Sequence, residues 1–207
     1  MSKRFGLILS MVLSLLPSLA LAQDSELLTR LYGTMSESCT ELEYTYTVEL
    51  SGTKNTGNGS LALQGHMWAL SGNGLDIYCD SASVWIIDAV SKEVVIEPVV
   101  TEINTFSNPA VIFAHLQDLF TVRSSVPSAD GKAVTYILRP KSSGDVEYVN
   151  LEILSSATSI RSCEVALTDG SLIKIKVGSM KPTPLRTLSD FRPKTAFDSS
   201  WIVTDMR

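Results

Sequence analysis

The stretch Gly59-Ser-Leu-Ala-Leu-Gln-Gly-His-Met-Trp-Ala-Leu-Ser-Gly-Asn-Gly-Leu-Asp-Ile-Tyr-Cys-Asp-Ser-Ala-Ser-Val-Trp-Ile-Ile-Asp88 decides how this chain is read. Leu61 and Leu63 alternate with small or polar neighbours, and short apolar runs follow at Trp68 to Leu70, Leu75 to Cys79 and Val84 to Ile87. The clusters Ser71-Gly-Asn-Gly74 and Asp80-Ser81 divide them. Period-two runs of this length, separated by turn formers, spell an antiparallel meander.

Upstream, Leu42, Tyr44, Tyr46, Val48 and Leu50 alternate with Glu43, Thr45, Thr47 and Glu49, which predicts a half-buried strand. The segment Ser51 to Gly59 has no apolar residue and reads as a hairpin loop. Before it, Leu27, Leu28, Leu31, Tyr32 and Met35 recur at spacings of three and four, predicting an amphipathic helix of about ten to fifteen residues capped by Asp24 or Ser25. Downstream, Glu93 to Ile96 ends the meander, and Asn108-Pro109 starts a second helix that carries Ile112, Phe113, Leu116, Leu119 and Phe120. Strands resume at Val134 to Leu138, Val149 to Ile153, Cys163 to Leu167 and Ile173 to Val177. Lys181 to Lys194 holds three prolines and reads as an irregular crossing before a last short strand, Trp201 to Thr204. About ten antiparallel strands with only two helices imply a mainly β, α+β fold: a strongly curved sheet with helices over its apolar concave side.

Residues 1–22 follow the plan of a secretory signal peptide: Lys3 and Arg4, an apolar run from Phe5 to Leu16, then Pro17 and Ala20-Leu21-Ala22, with cleavage expected after Ala22. The run is shorter than the ~20 residues of a membrane span. Residues 23–207 then form a single domain. The 207 residues carry 17 basic and 22 acidic side chains, a net charge of −5 that becomes more negative once Lys3 and Arg4 are removed, and the mature part has no basic run. Nucleic acid is not an expected partner, and a soluble monomer is expected.

Catalytic and metal chemistry find little support. His66 and His115 have no Cys, Asp or His at a metal-type spacing, so both read as surface or satisfied histidines, and no metal or cofactor is expected. There is no Gly-x-Ser-x-Gly elbow and no phosphate-binding glycine loop. Asp76 and Asp80 fall on the polar phase of their strand and read as a solvated face. Cys39, Cys79 and Cys163 are odd in number, so at most one internal disulfide can form; burial as small hydrophobes is the other reading.

The quoted stretch, together with Asn108-Pro-Ala-Val-Ile112, Tyr136-Ile-Leu-Arg-Pro-Lys141 and the terminal Val203-Thr-Asp-Met-Arg207, resembles the periplasmic outer-membrane lipoprotein carriers, the LolA-like family. The resemblance runs in order over nearly the whole mature chain. It implies an incomplete β-barrel around an apolar cavity with a helical lid, no enzyme activity and no cofactor. It also implies a carrier that takes the acyl chains of lipoproteins from an inner-membrane ABC-type release complex to an outer-membrane receptor. Family members carry an Arg-Pro before the aromatic strand, and that arginine is associated with latching the lid; this chain has Gln64-Gly65-His66 there. The missing arginine supports a second reading on the same scaffold, a non-transporting lipid-binding sensor or protein-interaction module. Inward-phase residues plus the second helix give the expected cavity wall: Leu61, Leu63, Trp68, Leu70, Trp85, Ile87, Ile112, Leu116, Phe120, Tyr136 and Leu138.

Overall fold

The computed structural model describes residues 16–50, 52–99, 109–156 and 159–207, with backbone only for residues 16–25 and 109. Within them a single sheet of twelve strands dominates: β1 (Cys39–Leu50), β2 (Thr53–Gln64), β3 (Met67–Gly72), β4 (Leu75–Cys79), β5 (Ser83–Asp88), β6 (Glu93–Pro98), β7 (Phe120–Pro127), β8 (Ala133–Pro140), β9 (Val146–Leu154), β10 (Ser159–Leu167), β11 (Leu172–Thr183) and β12 (Ile202–Asp205). Their order is β12-β6-β5-β4-β3-β2-β1-β11-β10-β9-β8-β7, so the sheet is open, with β12 and β7 at its edges. Three helices accompany it: α1 (Leu16–Glu37), α2 (Pro109–Ala114) and α3 (Leu116–Leu119). This is the curved, incomplete barrel with a helical lid that the sequence implies.

Two meanders, β1 to β6 and β7 to β11, are joined by the antiparallel pairing of β1 with β11, which runs from Cys39 opposite Thr183 to Glu49 opposite Leu172. Gly178 is the extra residue of a bulge opposite Glu43 and Tyr44. Tyr44 and Tyr46 lie across from Gly59 and Gly57 of β2. A Cβ on Gly59 would stand 2.8 Å from both the Tyr44 hydroxyl and the Ser71 carbonyl. The two rings therefore occupy space that only glycine leaves free, and they cover strand glycines that would otherwise weaken the sheet.

Several expectations need correction. Residues 53–58 are not a loop: they extend β2 against the outer half of β1, whose backbone supplies the partners, while both faces stay wet. Asp24 and Ser25 do not cap α1, because the helix runs through them from Leu16; the Leu19 to Ala22 segment favours helix, and Pro17 lies in the first turn, where its missing N–H costs nothing. Asn108 lies outside the described residues. The second helix breaks at His115, whose backbone N–H is shared between the Val111 and Ile112 carbonyls, and Phe120 opens strand β7 instead of ending the helix. That strand lacks apolar alternation because it is an exposed edge. The crossing at 181–194 is shorter than expected, since β11 continues through Pro182; β10 covers β11 only to Lys176, leaving one side of the strand unpaired there. Finally, β12 is parallel to β6, not antiparallel.

The main core lies on the concave side. Leu27, Leu28, Leu31 and Met35 of α1 pack there against the inward residues of both meanders, together with Cys79 and Cys163. The Ser38 hydroxyl donates to the Thr34 carbonyl and satisfies one of the free carbonyls at the end of α1. All three cysteines are buried and free, as small hydrophobes. Burial pushes the Cys79 thiol up to about 11 and that of Cys163 up to about 12.

The segment after β11 straps the outer face. Phe191, in a 3₁₀ turn at Leu188–Phe191, is fully buried beside Cys39 and Ala62, and Phe197 packs edge-on to Trp201 at 5.1 Å over Ile87, Val94 and Ile96. Gln64 fastens the strap through both amide atoms, accepting from the Arg186 N–H at 2.8 Å and donating to its carbonyl at 3.1 Å. Asp80, between β4 and β5, lies under this strap and is buried, contrary to its reading as solvated. Its Oδ1 accepts from the backbone N–H groups of Ala82 and Ser83, and its Oδ2 pairs with Arg192 at 2.6 Å. Alternation predicts a wet Asp80 because the segment that covers it arrives from more than a hundred residues away. Burial alone would raise its carboxyl; the N–H bonds from Ser83 and Ala82 and the Arg192 guanidinium outweigh it and hold the group below the usual carboxylate range.

Gly59→Ala is expected to cost about 1–3 kcal/mol in urea unfolding, the range of an overpacked site. Asp80→Asn should destabilise the fold by about 2 kcal/mol at pH 7, because it removes one partner of a half-exposed pair. With its folded pKa depressed, the Asp80 contribution is fully present above the unfolded value of roughly 3.9 and is lost as pH falls through the folded one. Unfolding curves of wild type and variant should therefore converge on acidification below about pH 4.

Candidate functional site

Nine of the eleven expected wall residues meet on the concave face: Leu61, Leu63, Trp68, Leu70, Ile112, Leu116, Phe120, Tyr136 and Leu138 all belong to the main core. Trp85 and Ile87 do not. They face outward and pack with Tyr78, Phe197 and Trp201 under the strap, while Val84, on the other phase, faces the main core. Val84-Trp-Ile-Ile87 is apolar on both phases because this strand is covered on both sides, so alternation there points neither way.

The face is closed by helices. α1 lays Leu27, Leu28, Leu31 and Met35 on it, and α2 adds Ala110, Ile112 and Phe113, in line with the expectation of amphipathic helices over the concave side. Between α1, the β2–β3 turn and the α2–α3 segment remains a cleft of about 200 Å³, lined by Tyr32, Met35, Leu63, His66, Phe113 and Leu116 among others. That is below the roughly 300 Å³ at which ligand pockets begin. A larger cleft, about 360 Å³, includes Glu41, Glu43, Lys181 and Arg186 in its wall and offers charge in place of apolar surface. A third cleft, about 650 Å³, runs over the outer parts of β1 to β3 and is lined mostly by polar side chains and glycines, Thr45, Asn58, Asn73 and Lys176 among them, so occupation of the apolar concave face by a long ligand requires the helices to move.

Their attachment suits movement. α2 has six residues and α3 four, too short to persist without packing. α3 is tied to the end of β8 by the Lys141 N–H on the Leu119 carbonyl at 2.8 Å and by the Lys141 ammonium on the Gln117 carbonyl at 2.7 Å. α2 is held by its buried apolar side chains. Burial pushes the Tyr32 and Tyr44 hydroxyls up to about 12, so both remain neutral in ordinary buffers.

Polar groups gather at the lip of the cleft. The His66 and His115 rings stack at 4.6 Å with 24° between their planes, and His115 Nδ1 lies 3.5 Å from Asp118 Oδ2. The Cys79 thiol donates to the His66 carbonyl at 3.6 Å. His115 is buried, which lowers its pKa; His66 adds to that shift and Asp118 opposes it. Within this cluster His115 and Asp118 share a local spacing of three residues, contrary to the reading that neither histidine has a partner at metal-type spacing, whereas His66 joins them from the β2–β3 turn, which no sequence spacing announces. Gln64 turns outward to the strap and His66 turns to the lid.

No protein-family model matches the chain, and no curated protein is significantly similar to it. Among solved structures it is similar to an uncharacterized conserved protein from Thermus thermophilus, at 16% identity over 88% of this chain and 98% of that one, with a TM-score of 0.53. A DUF1329 family protein from Desulfovibrio piger is similar at 10% identity over 81% and 95%, with a TM-score of 0.50. A LolA superfamily protein from Nitrosomonas europaea aligns at 9% identity over 80% and 97%, with a TM-score of 0.46. Identities this low speak to the fold alone.

Phe113→Ser should release the lid without unfolding the sheet. Hydrogen exchange read by mass spectrometry is expected to speed up for peptides covering 109–119 and to stay slow for β8 to β10; equal acceleration in both would mean that the lid is not a separate unit.

Proposed function

We propose that this protein is a periplasmic carrier that shelters the acyl chains of lipoproteins on its concave face, acting by binding and not by catalysis. The observation that carries this reading is an extensive apolar sheet face covered by helices, two of which, α2 and α3, are too short to stand alone. Each buried methylene of an acyl chain is worth about 0.8 kcal/mol, so a long chain is held out of water by roughly 10 kcal/mol. Such a chain can replace the contacts of Ile112, Phe113 and Leu116 as the lid swings away, and the lid can displace the chain at delivery. The two states differ little in apolar area buried, which keeps transfer reversible.

The resemblance of the sequence to the LolA-like carriers supplies the rest: acylated lipoproteins as cargo, an inner-membrane ABC-type release complex as donor and an outer-membrane receptor as acceptor. The apolar leader at 1–22 supports export. Among the described residues no helix is long and apolar enough to cross a membrane.

Purified protein should take up a fluorescent apolar probe and lose it to a triacylated peptide at micromolar concentration, and solvent extraction should recover acyl species by mass spectrometry. Trp85→Ala, on the outer face, should leave displacement unchanged, whereas Ile112→Ser should alter it. Folded protein that neither takes up the probe nor yields lipid would overturn the carrier reading and leave an interaction module.

A further inference from the structure

We propose that His66, His115 and Asp118 form a binding site for a divalent transition-metal ion of the zinc class, which fastens the lid to the sheet. One donor atom from each of the three residues lies within 4.8 Å of the other two. His115 and Asp118 stand one helical turn apart on the α2–α3 segment, while His66 reaches them from the β2–β3 turn. The site is independent of any lipid cargo.

The donor set decides the class of ion. Two imidazoles and one carboxylate suit zinc, copper or nickel, whereas calcium and magnesium seek oxygen-rich shells. Three protein ligands are what an open zinc site offers, with water in the fourth position. At ligand distances of roughly 2.0–2.1 Å, tetrahedral donors stand about 3.3 Å apart, so the group must contract. The means to do so are present: His66 and Asp118 are exposed and already rest against buried His115, by ring stacking and at 3.5 Å respectively, so the contraction is a matter of side-chain adjustment at the surface. The backbone on both sides is anchored, by the Cys79 thiol on the His66 carbonyl and by the Leu119 N–H on the His115 carbonyl at 2.9 Å. Exposure of two ligands also gives the ion a path in from solvent. A metal bond there would do by coordination what an arginine latch does by hydrogen bonding.

Tag-free protein, stripped with EDTA and titrated with zinc chloride by calorimetry, should bind one equivalent, and saturating zinc should raise its Tm. His66→Ala and Asp118→Asn should each weaken zinc at least about tenfold, a loss that even changes to the groups behind a metal's ligands produce, and should abolish the Tm rise. Both side chains are exposed, so these variants stay folded where a His115 substitution need not. Absence of saturable zinc binding, or binding that either variant weakens by less than about tenfold, would overturn the site; in the latter case the ion sits elsewhere, for instance on a cysteine.

Discussion

The pairing of β1 with β11 is the constraint on which the rest of the molecule depends. It joins strands from the two ends of the chain, Cys39 opposite Thr183 and Glu49 opposite Leu172, and turns two local meanders into one twelve-stranded sheet. Without it, each meander would expose an unpaired edge and half an apolar face. The seam is reinforced at one end, where Glu41 pairs with both Lys181 and Arg186 and the Thr183 hydroxyl donates to the Cys39 carbonyl at 2.9 Å. Gly178 bulges there, and bulges bend the strand that carries them.

A curved sheet has two faces to cover, and this chain covers them by unlike means. The outer face is strapped by the last segment, with Phe191 fully buried, Gln64 clamping Arg186, and Asp80 bonded to Arg192 and two backbone N–H groups. Directional polar bonds and a buried aromatic hold that cover in place. The concave face is covered by α1, α2 and α3 chiefly through apolar contacts, with two hydrogen bonds from Lys141 to the Leu119 and Gln117 carbonyls at one edge. Hydrophobic burial is non-directional, so exchanging one apolar partner for another costs little. The proposed carrier would use that difference in bonding, admitting an acyl chain on the concave side.

The β2–β3 turn sits between these two regimes. Gln64 faces the strap and His66 faces the lid, so one short segment touches both covers. The stacked histidines are a polar contact between the β2–β3 turn and the lid, at a position where the family that the sequence resembles places an arginine. A lid that depends on imidazoles responds to agents other than those that govern a guanidinium, since histidine binds metals and changes charge near neutral pH, whereas arginine does neither.

Much of this protein is legible in its sequence. The meander Gly59 to Asp88, the β1 alternation, the apolar stripe of α1 and the scarcity of helices determine an open, curved, mainly β fold with one large apolar face, because period and turn chemistry are local properties. Leu61, Leu63, Trp68, Leu70 and the other wall residues that reach the concave core follow from the same periodicity. What it could not reach depends on contacts between distant segments: the outward facing of Trp85 and Ile87, the burial of Asp80 under Arg192, the extension of β2 through a polar stretch, and the meeting of His66 with His115 and Asp118. Each is decided by what another part of the chain lays over the residue. A residue's own pattern records which side of a strand it occupies, and only the folded chain determines what covers that side.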